Sequence, residues 1–149
     1  MMSSASEVLI SAPTQQVFDA FTDLRKTVSR LSGVSAVEIL AENPAGVGTL
    51  WRETRIVLGA PVSQIIQVWT VDTPNGFSIR ADNNGVICNT HFAFIPEGTD
   101  TRVRATFSVI PATFAAMFFS PALFMVATVA KSVLARDLLD MKRAIESGA

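Results

Sequence analysis

The spacing of apolar positions changes period twice along this chain, and the three regimes predict its elements. Glu7–Ala12 (EVLISA) reads as a short strand, and Pro13 follows where its fixed φ suits a first helical residue. Val17, Phe18, Phe21 and Leu24 recur at helical spacing, predicting an amphipathic helix to about Asp23. Arg25–Leu31 is expected to form a second short helix that stops near Gly33. From Val34 the period is two. Strands are predicted at Val34–Ala41, Thr49–Leu58, Val62–Asp72, Phe77–Ala81, Val86–Ile95 and Arg102–Ile110. Between them stand Asn43-Pro44-Ala45-Gly46, Gly59-Ala60-Pro61, Pro74-Asn75-Gly76, Asn83-Asn84-Gly85 and Pro96-Glu97-Gly98, which supply the backbone angles that reversals need. Six consecutive strands with tight turns make an antiparallel meander, and the first strand is expected to join its edge.

After Pro111 the helical period returns. Ser120-Pro121 has the chemistry of an N-cap followed by a first helical proline. Beyond it Leu123, Ala127, Ala130, Leu134, Leu138, Met141 and Ile145 form one apolar stripe. Arg136, Asp137, Asp140, Lys142, Arg143 and Glu146 occupy the other positions, and a wet face is expected there.

One stretch competes with this reading. Ala105 to Ala130 is a run of 26 residues without a charged side chain. Roughly 18 uncharged apolar residues suffice to cross a bilayer. The rest of the chain argues against a span. A curved antiparallel sheet must bury one face, and the last helix is the element large enough to cover it. The run is therefore divided into the end of the last strand, a connector or short helix at Pro111–Ser120, and the start of the long helix from Pro121.

Composition narrows the class. Hydrophobic residues make up 49% of the 149-residue chain and charged ones 17%, an oily balance for which the uncharged run is partly responsible. The formal net charge is −1, and Lys142-Arg143 is only a pair, so no surface for nucleic acid is expected. Cys88 is alone, which excludes a disulfide framework and a thiolate zinc site. The N-terminus lacks the basic and apolar regions of a signal peptide, leaving the cytoplasm as the default compartment.

The segments VLISAPTQQVFDAFTD (Val8–Asp23), GVGTLWRETRIVLGA (Gly46–Ala60), FIPEGTDTRVRATFSVIP (Phe94–Pro111) and ARDLLDMKRAIES (Ala135–Ser147) resemble the START/Bet v 1-like superfamily, on its SRPBCC or polyketide cyclase/dehydrase-like branch. The resemblance covers nearly the whole chain, here taken as one domain over residues 1–149. It implies an α+β helix-grip fold, a curved antiparallel sheet around a long C-terminal helix with two short helices after the first strand. It also implies a cavity for a hydrophobic small molecule such as a lipid, a polyketide-like or an aromatic compound. The superfamily shares no catalytic motif, so no catalytic residue is carried over.

Candidate residues follow from strand alternation. On Thr49–Leu58 the set Leu50, Arg52, Thr54 and Ile56 is more apolar than Trp51, Glu53 and Arg55, so Arg52, Thr54 and Ile56 are expected to face the cavity. Glu53 and Arg55 would then be a solvated couple of little energetic weight. On Val86–Ile95 the face carrying Cys88, Phe92 and Phe94 suits the core, which puts His91 outside. His91 remains the one weak candidate for general acid–base work. Asn89 or His91 is counted with Arg52 and Thr54 among groups that could orient a ligand. Phe92, Phe94, Phe107, Met117, Phe118, Phe124 and Met125 complete the expected lining, Met and Phe being able to repack around varied ligands. Gly46-Val47-Gly48 precedes a strand and lacks a third glycine, so it is turn chemistry and not a phosphate loop. No metal or cofactor is expected. A ligand-binding domain is thus the leading expectation, a cyclase or dehydratase the alternative, and delivery of a ligand to a partner or membrane surface the third.

Overall fold

The computed structural model describes residues 2–83, 85–111 and 120–148. The strands are β1 (Met2–Ile10), β2 (Val34–Ala41), β3 (Leu50–Val57), β4 (Ala60–Asp72), β5 (Gly76–Asn83), β6 (Val86–Glu97) and β7 (Asp100–Pro111). The helices are α1 (Thr14–Thr22), a 3-10 turn (Leu24–Lys26), α2 (Thr27–Arg30) and α3 (Ser120–Glu146). Among the described residues the strands form one antiparallel sheet in the order β1-β7-β6-β5-β4-β3-β2. The meander and the docking of the first strand on its far edge are as the period-two pattern implies. Pro13 is the N-cap of α1 and Thr14 its first residue, one position later than expected.

The turn between β3 and β4 differs more. Val57 pairs with Ala60, so the two-residue reversal is Leu58-Gly59 and not Gly59-Ala60-Pro61. Both turn residues have positive φ, 51° and 80°, as a hairpin turn matched to strand twist requires. Leu58 is thereby left projecting into solvent.

The helices cover one face of the sheet, here called inner. α3 packs mainly on β1 and β7, while α1 lies against β6. Alternation on β7 sends Val103, Ala105, Phe107 and Val109 inward, all buried. They meet Leu134, Leu138, Met141 and Ile145 of the α3 stripe. Phe94 is the hub on the other side. Its ring lies 5.8 Å from Phe18 and 5.2 Å from Phe21 by centroid, both edge-on, and 6.0 Å from Phe77. Edge-to-face pairs of this kind add to the gain from area burial alone.

Polar clasps tie the ends of the chain to this core. Ser11 N–H donates to Glu146 Oε2 at 2.9 Å, and Lys142 Nζ donates to the carbonyl of Leu9 at 2.6 Å. Asp140 Oδ2 accepts from both N–H and Oγ–H of Ser32, at 2.9 and 2.7 Å. Thr101, fully buried at the start of β7, donates its hydroxyl to the Ala12 carbonyl at 2.8 Å and contacts Thr14 Oγ1 at 3.1 Å. Thr101→Val preserves the shape and strands the carbonyl, so a loss of about 1–3 kcal/mol is expected in urea unfolding. An unchanged midpoint would show that the hydroxyl contributes nothing net.

The ends of the uncharged run fall within one residue of the expected division, β7 ending at Pro111 and α3 beginning at Ser120, which is its first residue and not its N-cap; residues 112–119 of the expected connector lie outside the described residues. Among the described residues no helix is long and apolar enough to cross a membrane.

Candidate functional site

β3 decides the character of the site. Its partners across β2 and β4 hold it in register from Leu50 to Val57. Trp51, 4% exposed, packs with Ile66 and Ala81 on the inner face, and alternation then brings Glu53 and Arg55 inward with it. This reverses the sequence expectation. Arg52 lies on the outer face and donates to Glu38 at 2.6 Å with both side chains solvated. Thr54 meets Ser63 Oγ at 2.7 Å on that same face, and Ile56 is 47% exposed. The indole explains the reversal, since burying one large aromatic outweighs the summed apolar character of Leu50 and Ile56.

Between the inner face of β2–β5, the α1–α2 segment and α3 lies a cavity of about 390 Å³. This is within the range of small-molecule sites. Phe18, Phe21, Phe77, Phe92, Leu138 and Met141 supply much of its apolar wall, and residues Asn43–Gly46 of the β2–β3 connection close one end. Arg25 and Glu42, also in the wall, are solvent-exposed and paired through two bonds of 3.2 and 2.7 Å. The cavity therefore reaches solvent beside the 3-10 turn.

The polar centre of the wall is a three-residue cluster. Arg55 Nε donates to Glu53 Oε2 at 2.7 Å, while Nη1 and Nη2 donate to the two oxygens of Asp137 at 3.2 and 2.7 Å. The Arg55 and Asp137 side chains are only 16% and 13% exposed. Burial works against the Arg55 cation, but the hydrogen bonds it donates to Asp137 and the attraction of both carboxylates outweigh it and hold the guanidinium charged. Burial likewise pushes the Asp137 carboxyl above its ordinary value. Arg55 pulls it back in part, and the charge of Glu53 pushes it up again.

The pairing of Glu53 with Arg55 is as the sequence implies, but it stands in the cavity wall and not in solvent. Asp137, expected on the wet face of α3, instead turns inward. The sequence does carry a signal for this, because Leu134, Asp137 and Met141 fall at i, i+3 and i+7 on one helical face.

The other expected residues divide by face. Phe92 lines the cavity. Phe94 and Phe107 point to the same side but are packed into the core. Asn89 accepts from Arg80 Nε at 3.2 Å on the outer face, where Arg80 also lies 4.2 Å from the Trp69 ring centroid. His91 is exposed on that face, as strand alternation implies, and is not in the cavity wall. Met117 and Phe118 lie outside the described residues, as do the side chains of Phe124 and Met125. Among the described residues no group of three or more His, Cys, Asp or Glu could hold a metal ion.

This arrangement of seven-stranded sheet, short helices and C-terminal helix is the helix-grip fold of START/Bet v 1 proteins. It superimposes on a START-superfamily protein from Mycobacterium smegmatis with TM-score 0.79 at 14% identity, covering 99% of each chain. The Zhui aromatase/cyclase from a Streptomyces species matches with TM-score 0.83 at 16% identity, over 97% of this chain and 93% of that one. A protein from Thermus thermophilus matches with TM-score 0.81 at 19% identity over 99% of both. No curated protein sequence matches. Residues 1–146 match the family model described as polyketide cyclase / dehydrase and lipid transport, and the chain belongs to that family.

Proposed function

We propose that this protein holds a hydrophobic small molecule, of lipid, polyketide-like or aromatic type, in the cavity beside α3. The observation that carries the reading is the combination of a preformed cavity of about 390 Å³, a largely aromatic and aliphatic wall, and one compact polar cluster in it. Apolar burial supplies affinity at about 25 cal/mol per Å² before ordering costs, and the polar cluster orients what enters.

Native mass spectrometry of the purified protein tests this directly. A co-purifying apolar mass, displaced by an added aromatic ligand, supports the reading. Repeated empty spectra with no saturable uptake of any apolar probe would sink it. Val68→Trp should block the same space from the β4 side, because Val68 lines the cavity. The expected result is a loss of about tenfold or more in probe affinity, measured by fluorescence titration, with the fold retained.

A cyclase or dehydratase activity is the second reading, and the buried Asp137 favours it. A carboxyl raised by burial and oriented by a bidentate guanidinium has the properties of a general acid–base group. Asp137→Asn separates the two readings. An enzyme loses turnover of a poly-β-ketone substrate while still taking it up, whereas for a carrier there is no turnover to lose.

A further inference from the structure

The two tryptophans of the chain stand on opposite faces of the sheet and are served differently. Trp69 is half-exposed on the outer face, where Arg80 lies over its ring. Trp51 is 4% exposed on the inner face and lines the cavity. Its Nε1 is fully buried, and no described residue accepts a hydrogen bond from it. The ring packs in a cluster with Ile66 and Ala81, bordered by Leu24, Val37, Val68 and Ile79, and none of these carries a side-chain acceptor. A buried indole N–H ordinarily reaches a partner, and one left without it bears the full cost of its lost hydration. The protein supplies no acceptor here. The cavity is the side from which one can come.

The guanidinium farther along β3 also has donors to spare. Arg55 gives Nε to Glu53 and one N–H on each Nη to Asp137. One N–H on each Nη is thereby left uncommitted among the described residues. Trp51 and Arg55 share the inner face of β3, about 13 Å apart along the strand, and both line the cavity. We infer that the cavity selects its ligand by a neutral hydrogen-bond acceptor, the carbonyl oxygen of a ketone or ester on an otherwise apolar body, received by Trp51 Nε1. The spare N–H groups of Arg55 serve a second oxygen farther along the same wall. A carboxylate is disfavoured at Trp51, because it would exchange its hydration for one uncharged donor. The buried cation does not offset that cost, since two carboxylates already share it. This inference rests on the cavity-binding reading and specifies the polar end of the molecule bound.

Three probes of similar size test it: 2-acetylnaphthalene, 2-isopropylnaphthalene and 2-naphthoate, titrated by calorimetry into the native protein at neutral pH. The ketone should bind about tenfold tighter than the hydrocarbon of the same shape, with naphthoate weakest. Trp51→Phe keeps an aromatic ring and removes the N–H. It should bring the ketone-to-hydrocarbon affinity ratio to about one, a comparison that cancels the effect of the smaller ring on cavity shape. A nitrogen–proton correlation spectrum of the native protein gives a readout that does not depend on this variant folding. Its two indole signals are assigned with Trp69→Phe, and the Trp51 signal alone should move downfield with the ketone and not with the hydrocarbon. Hydrocarbon or naphthoate binding as tightly as the ketone would overturn the inference while leaving cavity binding intact. So would an unchanged ratio in Trp51→Phe, or a Trp51 signal that does not respond to the ketone. Failure of all three probes, hydrocarbon included, would overturn the cavity reading and this inference together.

Discussion

Arg55→Met should unfold about 10–15 °C below the native protein at neutral pH and recover much of the difference as the pH falls. The substitution keeps the aliphatic volume but leaves Glu53 and Asp137 buried with no cation between them. Removing one partner of a buried ion pair costs about 3–5 kcal/mol, far more than the intact pair contributes. The pH dependence follows from which state binds more protons. Without Arg55, burial and the charge of Glu53 hold the folded-state Asp137 carboxyl above its unfolded value of about 4. The folded chain then binds a proton that the unfolded chain has released. Stability from this group is present below the unfolded value and is lost as pH rises through the raised folded one. Urea unfolding between neutral pH and about pH 4.5 measures it. A variant with native stability at neutral pH, or one that weakens further on acidification, would contradict the buried triad. Arg55→Lys should fall between the two, since it restores a charge but not the planar fork.

Phe94→Ala should cost about 3–5 kcal/mol in the same assay. Phe94 is 2% exposed and joins three rings, Phe18 and Phe21 from α1 and Phe77 from β5. No described neighbour can close the gap without leaving another contact, because the strand backbones on either side are fixed by ladder pairing. The void opens beside Phe18, Phe21 and Phe77, which also line the cavity. Loss of stability should therefore come with improved uptake of bulkier apolar probes. A loss under about 1 kcal/mol would mean that α1 collapses inward, and probe uptake would then fall.

The architecture is readable because its signals are local and repeated. Period-two alternation, glycine- and asparagine-bearing turns and the long stripe from Leu134 to Ile145 each point to the same sheet-and-helix arrangement. The inner face of β3 is harder. Both of its faces mix charge with apolar side chains, so summed hydrophobicity favours Arg52, Thr54 and Ile56. The single Trp51 and the position of a helix far along the chain decide otherwise. The same limit hides the pairing of Asp137. Helical spacing places it on the face of Leu134 and Met141, but its role exists only because Arg55 arrives opposite it, 82 positions away in the chain, and nothing local marks that arginine. On β6, by contrast, the aromatic alternation alone puts Phe92 and Phe94 inside and His91 outside.

The bonds from Ser11 to Glu146 and from Lys142 to Leu9 have a consequence for the order in which the chain assembles. β1 is made first during synthesis, but its ladder partner β7 and its covering helix α3 are made last. The meander from β2 to β6 can form by adjacent hairpins while β1 waits. Closure of the sheet and the inner face is then one late, long-range event, of the slow kind that loop-closure entropy dictates. Until it happens, the apolar side of β1 has nothing to lie against, and that interval is when the nascent chain is most exposed to aggregation.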